Sequence, residues 1–433
     1  MDSPAISNSQ IDKAGKLLLD MQTPLKSPDQ IKANALIDQW RQSHLQPLTD
    51  VTLKLQEWLS EELPSFCIAQ RLKRKPQIIK KLQRSMPMRL SQMQDIGGCR
   101  AIFENDRDLS RALDLVKEKS RHKYFEIVDI DDYREHGRPE SGYRALHIRA
   151  ARDNQKPEIQ FRTLVQHAWA EEVERDSVIC RQQLKEGEGP TEILMFLQDV
   201  SQGFHYLDRG LTVPKDVVRR IEEKRRRVQV LVGAGQQLLG SGFLTNRQFV
   251  RAMEEKERQT RRRRMNNWLL IFNWSNGTFE HWNQVETNPE KAAIQYSEFE
   301  SQWSALRSYE VVLIGARQVS IIEKTHSHYF GANVFDQYLA QIGLESPLRL
   351  RTAPLSRSAA AILQKLVSKG YWGSKRVSLL TLKNHYCHGV DRFDEAIDEL
   401  IRIHVIPNTC RNKSFSLNIH DKAEVETLIS STI

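Results

Sequence analysis

Polar and apolar residues alternate strictly over the short stretch KPEIQFR. In an extended strand successive side chains face opposite ways, so Glu158, Gln160 and Arg162 share one face while Ile159 and Phe161 lie on the other. The pattern therefore predicts a strand with one side packed on a core. For such a strand taken alone, the ordinary interpretation of its polar row is contact with solvent.

Two further extended runs carry polar side chains beside an apolar row. The run SGYRALHIRA sets Tyr143 and His147 against Leu146 and Ile148, and the run DIGGCRAIF begins with Asp95 before a glycine pair. Helical spacing separates these runs, and the alternation of strands and helices predicts an α+β fold with a mixed sheet flanked by helices. The sequence has no Gly-x-x-x-x-Gly-Lys loop and no dinucleotide fingerprint, so a nucleotide here would be held by side chains.

The chain before these strands has helical spacing. Ser27 followed by Pro28 predicts a helix start, because serine caps free backbone amides and proline is tolerated in the first turn. No residue in this part suggests chemistry. We expect residues 1–65 to support the region that follows.

The stretch QRLKRKPQIIKKLQRSM combines the helical spacing of Ile78, Ile79 and Leu82 with a dense set of lysines and arginines. A charge run of this kind is usually a solvated helix face. Here it directly precedes Asp95, and a positive patch beside a metal-binding carboxylate is what a triphosphate site requires. We therefore expect a basic helix that binds phosphate.

The length, composition and net charge of the chain limit the class of protein to which it can belong. A chain of 433 residues exceeds a single typical core, and 39% hydrophobic with 27% charged residues is typical of folded globular domains. The net charge of +9 favours a polyanionic ligand such as a nucleotide or a nucleic acid, without giving specificity. The N-terminus has no leader-like segment and no apolar run is long enough to span a bilayer, so we expect a cytoplasmic protein.

The five cysteines are scattered without a Cys-x-x-Cys pair, which favours a reducing compartment over a disulfide scaffold. His385, Cys387, His388 and Cys410 are candidates for a zinc site. Two ligands adjacent in sequence are hard to bring onto one tetrahedral centre, and ordinary thiols explain the cysteines equally well.

Four blocks of the chain together resemble the synthetase domain of the RelA/SpoT family, the alarmone synthetases. They are RLKRKPQIIKKL, DIGGCR, GYRALH, and EIQFRT with HAWAE, in the family's order and at compatible spacing between Arg71 and about Asp176. The resemblance implies a variant of the nucleotidyltransferase sheet. It also implies an enzyme that moves the β,γ-pyrophosphate of ATP onto a ribose 3′-hydroxyl and releases AMP.

The resemblance assigns roles to individual residues. Asp95 and Glu158 would hold Mg²⁺ on the transferred phosphates, and Glu158 would also orient or deprotonate the attacking hydroxyl. The remaining implied contacts are Arg71 and Arg100 on either side of the adenine, Lys73 and Lys81 at the phosphates, Tyr143 stacked on the acceptor base, and Arg138, His147, Gln160, Arg162 and His167 around the acceptor pocket.

Without the resemblance, the ordinary interpretations are an ion pair for Arg162, a satisfied helix histidine for His167 and sheet packing for Tyr143. The chain also departs from the family pattern. Gln77 replaces a common serine of the basic helix, and Arg138 stands in place of the acceptor-loop lysine. These departures bear on the identity of the acceptor more than on the transfer.

We predict five segments along the chain. They are helical support at 1–65, the synthetase-like domain at 66–210, a basic helical linker at 211–265, a small α+β domain at 266–345, and a winged-helix-like module at 350–433. The arginine block Arg261–Arg264 is read as a solvated junction, with RNA phosphate contact as the alternative. For the last module we favour protein contact or self-inhibition over nucleic-acid binding.

No His-Asp hydrolase motif precedes the synthetase-like region, and His420-Asp421 lacks the surrounding ligands. We therefore expect synthesis without degradation, controlled by the C-terminal half or by a neutralising or triggering protein that acts through it. The leading hypothesis is a magnesium-dependent pyrophosphokinase that uses ATP and GDP or GTP. The alternatives are a toxic relative that pyrophosphorylates the 3′ end of tRNA and a nucleotide sensor without catalysis.

Overall fold

The computed structural model of the chain describes residues 6–19, 27–85, 87–121, 124–179, 182–232, 243–260, 265–274, 278–285, 287–303, 309–330, 334–344, 355–402, 405–406, 410, 414–417, 425 and 429. Two compact units divide the chain. The larger comprises residues 1–235, 252–272 and 280–348, and the smaller comprises residues 236–251, 273–279 and 349–433. The Arg261–Arg264 block and His420-Asp421 lie outside the described residues.

The strands are β1 Phe66–Leu72, β2 Gly97–Phe103, β3 Glu126–Asp132, β4 Leu146–Ala151, β5 Glu158–Thr163, β6 Asn266–Asn273, β7 Thr278–Gln284 and β8 Tyr309–Ala316. The helices are α1 Asn8–Leu19, α2 Pro28–Ser43, α3 Leu45–Glu62, α4 Lys75–Arg84, α5 Asp106–Ser120, α6 Leu164–Ile179, α7 Thr191–Asp208, α8 Lys215–Val232, α9 Phe243–Thr260, α10 Pro289–Trp303, α11 Val319–Thr325, α12 Val334–Gln341, α13 Arg357–Ser368, α14 Leu379–Thr381 and α15 Phe393–Arg402.

The strands form one sheet in the order β3-β4-β5-β2-β1-β8-β6-β7. Only the β2–β5 pair is parallel among the registers that the described residues define, and β1 lies antiparallel to both β2 and β8. The mixed sheet flanked by helices is thus confirmed. The separate α+β domain predicted at 266–345 is wrong, because its strands extend the same sheet through the edge of β1.

The alternation predicted for β5 is confirmed. Ile159 and Phe161 are fully buried in a core that includes Leu146 and Ile148 of β4, while Glu158 and Gln160 are only partly buried. The turn that joins the two strands has Asp153 and Asn154 in left-handed backbone conformations, which these side chains tolerate better than most.

The N-terminal helices begin and pack as their sequence predicts. Ser27 accepts a hydrogen bond from the backbone N–H of Gln30, whose side chain bonds back to Ser27, so α2 starts with a capping box. Helices α1 and α2 share a core with Ile78 and Leu82 of α4. The N-terminal helices therefore support the strand that precedes α4 and the loop around it.

Within the predicted linker at 211–265 the structure describes two helices, α8 and α9, and α8 is not a bare linker. Val217, Ile221 and Val228 of α8 are buried in the same core as Trp169 of α6 and Phe196 of α7. Because these three residues follow helical spacing, the apolar face of α8 packs while its arginines occupy the other face.

In the smaller unit, α13, α14 and α15 share one apolar core, and a π-helical turn at Leu382–Tyr386 extends α14. Two isolated β-bridges join Trp372 to Leu417 and Val377 to Phe415. The winged-helix assignment stays a prediction. Cys387 and Cys410 are buried in this core, and no group of three or more His, Cys, Asp or Glu side chains in the described part of the chain is placed to hold a metal ion.

Candidate active site

Two carboxylates meet at the start of the parallel strand pair. Glu158 is the first residue of β5 and lies opposite Gly98 of β2, and Asp95 lies just before β2. The amino ends of parallel strands reach the same edge of a sheet, and Glu158 is close enough for its charge to act on the pKa of Asp95. We call Asp95 and Glu158 the carboxylate pair.

Asp95 is held between two lysines. Its Oδ2 accepts a hydrogen bond from Lys73 Nζ at 2.7 Å and its Oδ1 accepts one from Lys81 Nζ at 2.8 Å. Burial and Glu158 would raise the pKa of Asp95, but the two ammonium charges outweigh them and lower it. Burial and the neighbouring Lys81 lower the pKa of Lys73 despite its contact with Asp95.

The basic stretch that supplies these lysines is not one helix. Arg71 lies on β1, Lys73 lies in the following loop, and α4 begins only at Lys75. Pro76 fits the first turn of a helix, but it has no N–H to donate to an earlier turn and its ring would clash with that turn, so α4 does not extend back towards Lys73. Lys73 is fixed by its backbone N–H, which donates to the carbonyl oxygen of Ile96 at 2.7 Å.

Both oxygens of Glu158 accept hydrogen bonds from neighbours on the same sheet face. His147 Nδ1 lies 3.0 Å from Oε1, and Gln160 Nε2 donates to Oε2 at 2.6 Å. Arg162 donates from Nη2 to Gln160 Oε1 at 3.1 Å and to the Tyr143 hydroxyl at 2.9 Å. We call Tyr143, His147, Glu158, Gln160 and Arg162 the strand network.

The electrostatics of the strand network favour an ionised Glu158. Burial would raise the pKa of Glu158, but the contact with His147 and the bond from Gln160 lower it well below its usual range. Burial would lower the pKa of His147, but Tyr143 and Glu158 raise it to about 9. The positive charges of Arg162, His147 and Lys185 lower the pKa of Tyr143 to about 7 against the effect of its burial.

Tyr143 lies in the loop before β4 and is only 1% exposed. Gly142 precedes it with φ +81°, and a Cβ there would come within 2.9 Å of Gln198 Cα, so glycine allows the loop to pack closely on α7. The guanidinium of Arg138 lies 4.6 Å from the ring centroid of Tyr133 and 5.1 Å from that of Tyr143. The structure thus brings Arg138 and the strand network together.

A second cluster surrounds Glu171 of α6. Arg100 donates from Nη1 to Glu171 Oε1 at 3.0 Å and to the carbonyl oxygen of Thr325 at 3.1 Å. The imidazole of His328 bonds to Glu171 Oε2, and His167 Nε2 bonds to the carbonyl oxygen of Lys324 at 2.9 Å. We call Arg71, Arg100, His167, Glu171 and His328 the α6 cluster.

Charge in the α6 cluster is balanced by buried carboxylates. Glu174 and then Glu171 raise the pKa of Arg71 against its burial, whereas burial and the nearby Arg162 lower the pKa of Arg100 to about 10. Burial, opposed only in part by Glu171, lowers the pKa of His167 to about 3. The predicted residues Arg71, Arg100 and His167 therefore meet in one place.

Several contacts of the α6 cluster were not predicted. Glu171 belongs to the HAWAE block quoted above, yet its position as the common acceptor for Arg100 and His328 was not recognised. Thr325 and His328 come from the segment after β8, and nothing in their local sequence indicates contact with β2. Their proximity follows from the pairing of β8 with β1.

The carboxylate pair has the chemistry of a magnesium site that a substrate completes. A carboxylate oxygen has two lone pairs, so Asp95 and Glu158 keep acceptor capacity beside their present hydrogen bonds. Mg²⁺ is usually bound by one or two carboxylates together with water and substrate phosphates. The residues present therefore fit this ion.

None of the helices within the described ranges combines the length and the apolar composition needed to cross a membrane.

Comparisons with known proteins match the part of the chain that contains Asp95 and Glu158. Residues 70–179 match the family model described as the region found in RelA/SpoT proteins. Uncharacterized proteins of Mycobacterium bovis and of Mycobacterium tuberculosis are 29% identical over 167 residues, which is 39% of this chain. The chain spans 57% of the length of these relatives.

Solved structures of small alarmone synthetase 1 from Bacillus subtilis also match. The structure bound to its product pppGpp is 25% identical, with a TM-score of 0.32, over 38% of this chain and 89% of that one. A second structure of the same synthetase is 23% identical, with a TM-score of 0.32, over 44% of this chain and 98% of that one.

Proposed function

Since the chain carries at residues 70–179 the region found in RelA/SpoT proteins, we propose that it is an ATP-dependent pyrophosphokinase. It transfers the β,γ-pyrophosphate of ATP to the ribose 3′-hydroxyl of GDP or GTP, which yields (p)ppGpp and AMP. The observation that carries the proposal is the carboxylate pair at the start of two adjacent parallel strands, with Lys73 and Lys81 beside it. Carboxylates and ammonium groups at one point are what phosphoryl transfer needs.

In this mechanism Glu158 positions the attacking hydroxyl. Its lowered pKa keeps it ionised, so it accepts a hydrogen bond from the 3′-hydroxyl at neutral pH. A carboxylate with a low pKa is a weak base. Glu158 therefore aligns the nucleophile and receives its proton only as the bond to phosphorus forms.

Lys73 and Lys81 act on the donor. Their ammonium groups neutralise negative charge on the phosphate oxygens as the bond to the α-phosphate breaks, the usual main contribution to this chemistry. Asp95 keeps both lysines at one point until the phosphates arrive. Asp95 and Glu158 would hold Mg²⁺, whose charge would polarise the transferred phosphates when it is bound.

Arg71 and Arg100 are proposed to contact the adenine. Guanidinium groups stack on aromatic rings through their planar faces, while their hydrogen bonds lie in the plane. The bonds of Arg100 to Glu171 and to the carbonyl oxygen of Thr325 fix that plane. The α6 cluster would thus orient the base-binding arginine.

The 3′ end of tRNA is a second candidate acceptor. Helix α8 presents Arg219, Arg226 and Arg227 as exposed side chains, and the net charge of the chain is +9. Basic surfaces of this kind attract the phosphate backbone of RNA independently of sequence.

One experiment separates the candidates. The protein is incubated with Mg²⁺, ATP labelled at the γ-phosphate, and GDP, GTP or deacylated tRNA, and the labelled products are resolved. Label on a guanosine nucleotide supports (p)ppGpp synthesis, and label on RNA supports the second candidate. Absence of transfer to every acceptor contradicts both and favours a sensor without catalysis.

A further inference from the structure

The loop between β1 and α4, which carries Lys73, is bound by two side chains from distant parts of the chain. Arg41 of α2 donates from Nε to the carbonyl oxygen of Lys73 at 3.1 Å. Glu300 of α10 accepts a hydrogen bond at Oε1 from the backbone N–H of Lys75, also at 3.1 Å. Arg41 Nη1 lies 2.6 Å from Glu300 Oε2, so the contacts close into one ring around the loop. We call Arg41 and Glu300 the loop-binding pair.

Both members of the loop-binding pair are buried, since Arg41 is 1% exposed and Glu300 is 4% exposed. The planar guanidinium of Arg41 donates in two directions, to the loop from Nε and to carboxylates from Nη1, where Asp38 Oδ1 also lies at 3.2 Å. The first N–H groups of a helix have no partner within it, and Arg74 before α4 makes no side-chain cap. Glu300 therefore supplies the bond that the start of α4 lacks.

Lys73 is held at both of its backbone groups. Its N–H donates to the carbonyl oxygen of Ile96 at 2.7 Å, and its own carbonyl oxygen accepts the bond from Arg41. The side chain of lysine is a flexible four-carbon stem, so the position of its ammonium group depends on where the backbone is fixed. From this backbone position Nζ reaches Asp95 Oδ2 at 2.7 Å.

We infer that Arg41 and Glu300 are positioning residues for Lys73. They act through the backbone of the loop and set where the ammonium group of Lys73 meets the donor phosphates, as supporting partners behind a reacting group commonly do. Both lie outside residues 70–179, the region found in RelA/SpoT proteins, so segments before and after that region contribute to the site. This inference rests on the proposed function for the role of Lys73.

The first test is the substitution Arg41→Lys. It keeps a positive charge beside Glu300, but one ammonium group cannot reproduce the two directions of the guanidinium, so the bond to the carbonyl oxygen of Lys73 is lost. We expect kcat for pyrophosphate transfer to fall roughly 10- to 100-fold, because small displacements of a reacting group cost this much. KM for the acceptor should change less than about threefold. Unchanged kcat would overturn the inference.

A double-mutant cycle shows whether Arg41 acts through Lys73. Lys73→Met removes the ammonium group and keeps the length of the side chain. In that background Arg41→Lys should lower the remaining kcat less than about threefold, because the group that it positions is already gone. An equal loss in both backgrounds would overturn the inference, since it would mean that Arg41 supports the fold as a whole.

Glu300→Gln tests the other member of the loop-binding pair and decides the inference if Arg41→Lys does not fold. We expect the same loss of kcat and the same dependence on Lys73, and normal kcat would contradict the inference. The matched control is Arg175→Lys, which replaces a buried arginine paired with Glu172 within α6. It is expected to leave kcat unchanged.

A crystal structure of the Arg41→Lys variant gives a readout that does not depend on activity. The inference expects the loop to shift and Lys73 Nζ to leave hydrogen-bond distance of Asp95. An unmoved loop with that contact intact would overturn the inference even if the wild-type protein transferred nothing. A displaced Lys73 in the variant, together with a wild type that transfers no label, would contradict the proposed function alone.

Discussion

The strand network and the α6 cluster differ in how the chain brings their residues together. The strand network is drawn from residues 143–162, on β4, β5 and the loop before β4. The α6 cluster joins Arg71 of β1 and Glu171 of α6 to His328, which follows β8. The strand network follows from local alternation, whereas the α6 cluster depends on how distant strands pair.

His147 of the strand network and His167 of the α6 cluster differ in their pKa and therefore in their charge. His147 lies between Tyr143 and Glu158, and its pKa is raised to about 9 despite burial. His167 is buried near Arg100 with a backbone carbonyl as its partner, and its pKa is lowered to about 3. The same side chain is thus charged in the strand network and neutral in the α6 cluster at pH 7.

The largest expected effect comes from Glu158→Gln in the strand network. The substitution keeps the shape of the side chain and removes its charge, so transfer of the γ-label should fall at least about 1,000-fold. ATP binding, followed by calorimetry, should change little, because Lys73, Lys81 and Asp95 remain. The control Glu126→Gln alters an exposed carboxylate of β3. Substantial turnover by Glu158→Gln would show that the reaction centre lies elsewhere.

Glu171→Gln tests the α6 cluster through stability. Glu171 is 3% exposed and is bound by Arg100 and His328, and removing its charge leaves a buried guanidinium without its counterion. We expect a loss of roughly 3–5 kcal/mol in the free energy of unfolding, measured by denaturant titration. Glu57→Gln, which breaks the exposed pair with Lys54, should cost less than about 1 kcal/mol. Equal losses of stability in Glu171→Gln and Glu57→Gln would contradict the expectation that the buried charge contact stabilises the protein more than the exposed one.

A smaller loss of stability is expected when the pH is lowered, because His167 of the α6 cluster resists protonation in the folded protein. The pKa of His167 is about 3 in the folded protein and about 6.5 in the unfolded chain. Below about pH 6.5 the unfolded state binds a proton that the folded state does not, so stability falls as pH falls towards 3. Arg100, Arg162 and Glu171 face this imidazole.

The measurement compares wild type with His167→Gln by denaturant titration at several pH values. Between pH 7 and about pH 4.5 the wild type should lose about 3 kcal/mol more than the variant, since two pH units below 6.5 correspond to that energy. Parallel pH profiles for the two proteins would show that His167 titrates normally in the folded state.

Local signals in the sequence were sufficient for much of the fold. Alternation at Glu158–Arg162 identified β5, and the Ser27-Pro28 pair identified the start of α2. Each signal lies within a few residues of the feature that it predicts. Alternation within one strand was also enough to place Glu158, Gln160 and Arg162 on one face of β5.

The errors arose where a distant partner decides the structure. The last three residues of β1, Gln70–Leu72, were included in the predicted basic helix. Gln70 and Arg71 are polar, and the burial of this strand depends on pairing with β2 on one side and β8 on the other. With β1 unrecognised, β8 had no visible partner, and residues 266–345 were read as a separate domain. The contacts of Thr325 and His328 with the α6 cluster were hidden for the same reason.

The central place of β1 bears on how fragments of this protein behave. Gln70 and Arg71 of β1 pair with Gly315 and Ile314 of β8, so a shortened protein ending before β6 would leave backbone amides and carbonyls of β1 open to water. Unpaired strand edges recruit strands from other molecules and promote aggregation. If such a fragment is insoluble or inactive, the exposed edge of β1 is a sufficient explanation. The result would not show whether the removed half of the chain inhibits the enzyme.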